Sequence, residues 1–95
     1  MTPEEFKDEV MDIAGDVGLI PREVHLRKMT RKLASCSSKG RLTFDPSLLE
    51  ESDEARVKVI LHELLHLRYP NHGRMFKVML ETYLDRRMSY VSQVR

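Results

Sequence analysis

His62-Glu63-Leu64-Leu65-His66 is an HExxH pattern, with two imidazoles four residues apart and a carboxylate beside the first. On a helix, residues at that spacing share one face one turn apart, so both rings can reach a single ion while Glu63 stays next to it. Zinc suits such ligands, because a catalytic zinc takes three protein groups and keeps its fourth position for water, whose pKa falls to ~7. A neighbouring carboxylate can then accept the proton of that water as hydroxide attacks a carbonyl carbon. Val59, Ile60, Leu61, Leu64, Leu65 and Leu67 surround the motif with apolar side chains. Burying two histidines and a glutamate there without a partner would be costly, and an ion with its water removes that cost. The sequence therefore predicts one catalytic zinc ion on His62 and His66, with Glu63 as general base.

Two residues compete to be the third ligand. His72 follows His66 after five residues, and Tyr69-Pro70-Asn71 ends the helix and turns the chain before Gly73 opens the next element. That bend can return His72 to the ion. Glu81, with Asp85 four residues on, is the rival. It lies off the apolar stripe of its helix, beside Lys77, where a solvated charge pair would also sit.

The elements that must position these groups follow from caps and periodicity. Thr2 at the N-cap, Pro3 at the first helical position and Glu5 three residues after the cap form a capping box. Phe6, Val10, Ile13, Ala14 and Val17 then recur at helical spacing, which predicts a core helix over about residues 3–16. Gly15, Gly18 and Pro21 stop it. Three strand-like segments follow, Val24 to Met29, Leu33 to Ser37 and Arg41 to Asp45. Thr30-Arg31 and Ser38-Lys39-Gly40 read as their connecting turns, giving a small antiparallel sheet. Ser52 caps the next helix, whose first turn carries Asp53 and Glu54 as the helix dipole favours, and which runs on toward Pro70. A final helix begins near Gly73 and presents Phe76, Met79, Leu80, Tyr83 and Leu84 on one stripe. Arg86 to Arg95 shows little periodicity, and residues 87–95 read as an extended tail, either inhibitory in the cleft or disordered. The fold class is α+β in one domain spanning residues 1–95.

The stretch from His62 to Phe76, HELLHLRYPNHGRMF, resembles the SprT-like and YgjP-like zinc metallopeptidases, in which HExxH is followed by a histidine opening the next helix. Leu33 to Leu42, LASCSSKGRL, is similar to the strand and turn preceding the active-site helix in the YgjP-like group, though Leu33-Ala34 stands where that segment often begins with Trp-Gly. The chain also resembles the small soluble domains called minigluzincins, whose name implies a glutamate as third ligand, so the relatives divide between His72 and Glu81. The resemblance implies a minimal zincin-like domain with a backing helix, a three-stranded sheet, an active-site helix and a C-terminal helix. It further implies that the sheet strand beside the active-site helix pairs with an extended substrate, which points to Arg41, Leu42, Thr43 and Phe44.

Composition narrows the partners. The chain has 95 residues, 16 basic and 15 acidic, for a formal charge of +1, so its overall charge offers little to a polyanion. Residues 22–41 concentrate Arg22, Arg27, Lys28, Arg31, Lys32, Lys39 and Arg41 against Glu23 alone, but no aromatic interleaves them. No run approaches the ~18 apolar residues of a membrane span, and the first residues lack the basic and apolar regions of a signal peptide. Cys36 is the single cysteine, as suits a reducing, cytoplasmic compartment. The leading expectation is a zinc metallopeptidase acting on a peptide or protein. The alternative is a zinc-stabilised, non-catalytic module that contacts nucleic acid or protein through residues 22–41.

Overall fold

The computed structural model describes residues 1–94, with side chains described through Tyr90. Helix α1 spans Pro3–Val17; the Thr2 hydroxyl accepts from the Glu5 amide and the Glu5 carboxylate accepts from the Thr2 amide, so the predicted capping box is complete. Gly18 closes the helix at φ 73°, a left-handed conformation that only glycine adopts without strain. Strands β1 (Glu23–Leu26), β2 (Ala34–Cys36) and β3 (Arg41–Phe44) follow. A short 3-10 helix at Pro46–Glu50 leads to α2 (Asp53–Leu65), capped by the Ser52 hydroxyl, and then to α3 (Arg74–Val94).

The sheet is mixed rather than antiparallel. Its strand order is β1-β3-β2, with β1 parallel to β3 and β2 antiparallel to β3. Thr30-Arg31 lacks the Gly or Asn that a two-residue hairpin requires, and residues 27–33 instead form a longer connection that carries the chain past the position β3 will take. Asp45 ties that connection down: one of its carboxylate oxygens accepts from the Met29 amide at 2.7 Å and the other from the Ser47 amide at 2.9 Å. The second turn is a true hairpin, with Gly40 at φ 84° supplying the left-handed residue between β2 and β3.

Alternation sorts the sheet into two faces. Leu42 and Phe44 are fully buried on the inner one, where Val24, Leu26, Ala34 and Cys36 join them. Phe6, Val10, Ile13 and Ala14 of α1 and Val57, Ile60, Leu61 and Leu64 of α2 complete this core, with Phe6 edge-on to Phe44 at 5.1 Å between ring centres.

The C-terminal segment also departs from expectation. Residues 86–94 continue α3 rather than forming an extended tail. Long-range contacts supply the reason: Met88 packs against the core, and the Arg87 guanidinium reaches Asp12 and Asp16 on α1 at 2.8 and 3.2 Å. Such anchoring stabilises a helix whose own apolar periodicity is weak.

Candidate active site

Helix α2 delivers His62, Glu63 and His66 to one place, as the four-residue spacing requires. Its regular part ends at Leu65, where His66 caps it and the Tyr69 amide donates to the Leu65 carbonyl at 2.7 Å, bending the chain toward Pro70. The bend returns His72 to the other two histidines. The Nε2 atoms of His62, His66 and His72 lie 3.2, 3.2 and 2.9 Å apart. A tetrahedral zinc with Zn–N bonds of the usual length separates its nitrogen ligands by about 3.3 Å, so the triangle matches one face of that polyhedron. Glu81 is not part of this cluster; it lies exposed on α3.

The hydrogen bonding supports cation binding. Nδ1 of His66 lies 3.1 Å from the Tyr69 carbonyl oxygen, which can only accept, and this assigns the ring hydrogen to Nδ1 and leaves Nε2 with a free lone pair. Burial holds the pKa of His62 below the ordinary imidazole value, and the charges of His66 and His72 lower it further. Ring nitrogens that converge in this way are what a divalent cation binds.

Phe76, expected on the apolar stripe of the last helix and the final residue of the HELLHLRYPNHGRMF stretch, is also a site residue. Its ring is 3% exposed and its centre lies 5.1, 4.9 and 4.9 Å from those of His62, His66 and His72. It is an apolar floor shared by all three imidazoles, and its place four residues after His72 was the available signal.

Glu63 is 7% exposed, and burial pushes its carboxyl pKa up, with the charges of Lys32 and His72 opposing that shift. It opens into a cleft of about 480 Å³ together with His62 and His66. The facing wall is β2 and the turn after it, from Ala34 to Ser38, and Pro70 and Lys32 complete the lining.

This placement corrects the expected substrate strand. Arg41, Leu42, Thr43 and Phe44 form β3, which is hydrogen-bonded on both sides and has no free edge to offer a peptide. The cleft-side edge belongs to β2. Leu33 accepts from Asp45 and Ser37 donates to Arg41, so by strand alternation the main-chain groups of Ala34 and Cys36 point to the open side. Tyr83 packs against the core and Tyr90 is exposed over Arg87, while the Tyr69 carbonyl is committed to His66.

Comparison with known proteins identifies the fold and the family. The solved structure of the metallopeptidase zymogen of Pyrococcus abyssi abylysin is similar, with a TM-score of 0.70 over 92% of this chain and 95% of that one. The two are 23% identical, so the likeness speaks for the fold. Among curated proteins none matches. Residues 2–93 match the family described as YgjP-like, metallopeptidase domain, a span that takes in both walls of the cleft and all three histidines. The chain belongs to the YgjP-like metallopeptidase family.

Proposed function

We propose that this chain hydrolyses peptide bonds with one zinc ion held by His62, His66 and His72 and with Glu63 as general base. The observation that carries the reading is the convergence of three imidazole Nε2 atoms within 3.2 Å of one another beside a buried carboxylate in an open cleft. Zinc at such a site supplies Lewis acidity, making water a nucleophile near neutral pH and polarising a carbonyl. Glu63 takes the proton of the attacking water and returns it to the leaving amine. Its burial raises its basicity, which favours the first transfer. The extended peptide pairs with the outward main-chain groups of Ala34 and Cys36, which sets its scissile bond across the cleft from His62 and Glu63.

A non-catalytic, zinc-stabilised module has less support. A structural zinc is closed by four protein ligands, and only three groups converge here among the described residues, with Glu63 next to them on open space. Abylysin is described as a zymogen; among the described residues of the present chain, none that lines the cleft comes from α3, so a tail in the cleft gains no support from them. No described helix is long and apolar enough to cross a membrane, and a cytoplasmic setting with the Cys36 thiol reduced accords with the proposal.

Glu63→Gln tests it. The variant should bind zinc with unchanged stoichiometry, measured by elemental analysis, and lose about 10²- to 10⁴-fold in peptide hydrolysis. Full activity in that variant would refute the assignment.

A further inference from the structure

The cleft has a side chamber that the hydrolytic mechanism does not use. It is a hollow of about 320 Å³ lined by the apolar Leu33, Ala34 and Val59 together with His62 and Glu63. Lys32 and Lys58 stand at its rim. The hollow is continuous with the cleft, since Lys32, Ala34, His62 and Glu63 line both.

Two elements build it for a reason visible in the sequence. On α2, Lys58 lies one turn before His62, and Val59 one turn before Glu63, so this pair of rows faces the same side as the site. Lys32 and Leu33 immediately precede β2 and overhang from the opposite wall. Leu33 is 47% exposed, an apolar side chain left uncovered next to the site. Both lysines are exposed, and among the described residues neither takes part in an ion pair. Apart from Glu63, which is needed for proton transfer, no acidic side chain among the described residues lines the hollow.

We propose that this hollow is a specificity pocket for an acidic substrate side chain, with its methylenes on Leu33 and Val59 and its carboxylate between the Lys32 and Lys58 ammonium groups. A peptide paired to the β2 edge sends alternate side chains toward α2, and one next to the scissile bond meets the hollow. Glutamate matches the chemistry better than either a plain aliphatic residue, which leaves two ammonium groups unanswered, or lysine, which both repel. Exposed ion pairs are worth about threefold each, so the two lysines together predict about tenfold preference for Glu over its neutral isostere Gln, decreasing with salt. Lys at the same position should fall below Gln.

The inference rests on the peptidase reading, and the test separates the two. Three nonapeptide pools, random except for a central Glu, Gln or Lys, are offered to the zinc-loaded full chain, and the cleaved bonds are identified by mass spectrometry. The wild type should cut the Glu pool about tenfold faster than the Gln pool, with the fixed residue at one constant position relative to the cut. Lys32→Glu/Lys58→Glu should invert the order toward Lys, and Lys32→Met/Lys58→Met should flatten it. Equal rates from all three pools, or an order unchanged in the charge-reversed variant, would overturn the pocket while leaving the hydrolase intact. If no pool is cut, the hydrolytic reading fails. The pocket then stands or falls on fluorescence anisotropy of the labelled pools with zinc-loaded Glu63→Gln protein, where equal affinities for Glu, Gln and Lys would overturn it.

Discussion

Arg56 fixes the active-site helix to the backing helix, and its removal should be expensive. The residue is 5% exposed, in the first turn of α2. Its Nε and Nη2 reach the two carboxylate oxygens of Glu9 on α1 at 2.6 and 3.2 Å; Nη2 also meets Asp53 at 2.5 Å, and Nη1 donates to the Glu51 carbonyl at 3.1 Å. Arg56→Met keeps the apolar stem but withdraws the guanidinium from the Glu9 and Asp53 carboxylates that it bridges. Breaking a buried pair from one side typically costs about 3–5 kcal/mol. The Glu9 and Asp53 side chains are 16% and 21% exposed, so water reaches them and the lower end, about 3 kcal/mol, applies. For a domain of this size that lowers the melting temperature by roughly 12–24 °C. Circular dichroism at 222 nm, in thermal and urea denaturation, measures both quantities. Glu9→Gln in the Arg56→Met background should recover part of the loss by removing one of the two like charges. The surface pair Arg41–Glu23, with side chains 58% and 50% exposed, provides the contrast: Arg41→Ala should leave the melting temperature and the urea midpoint close to those of the wild type. An Arg56→Met protein as stable as the Arg41→Ala one would refute the reasoning.

His72→Ala should lower zinc affinity by at least about tenfold in chelator competition while Glu81→Ala leaves it unchanged, and the reverse result would transfer the third ligand to α3. Phe76→Leu keeps an apolar floor but removes the ring against which three imidazoles pack; zinc should dissociate about tenfold faster into excess chelator, with most of the thermal stability retained. Asp45 is held below the ordinary carboxylate pKa by hydrogen bonds from Ser47 and Met29. Its ionised form is therefore the stabilising one: the contribution is complete above the unfolded value of 3.8 and disappears as pH falls through the lower folded value. Asp45→Asn should remove that part of the acid dependence in urea titrations between pH 5 and pH 2, and a slope identical to wild type would contradict it.

Much of the fold was legible because it is written locally. Thr2 with Glu5, Ser52 with the acidic first turn, and the His62–His66 spacing each act over three or four residues, and the structure places each as the spacing requires. Strand order is a different kind of information. Whether β1 pairs with β2 or β3 depends on contacts far apart in sequence, and the only local sign was that Thr30-Arg31 made a poor hairpin turn. The same limit hid the helix over residues 86–94, which leans on Asp12 and Asp16 of α1. It hid the free edge of β2 as well, since an edge is a property of the finished sheet.

The central position of β3 orders the events of folding. Its antiparallel partner β2 is joined to it by one tight turn at Gly40, whereas its parallel partner β1 must wait for a longer loop to close. The β2–β3 hairpin should therefore gain protection from hydrogen exchange before β1 docks, and pulse labelling of the Ser37 and Arg27 amides would report the two stages. The edge proposed to hold substrate thus belongs to the unit of the sheet that forms first, and late events on the β1 side can fail without erasing it.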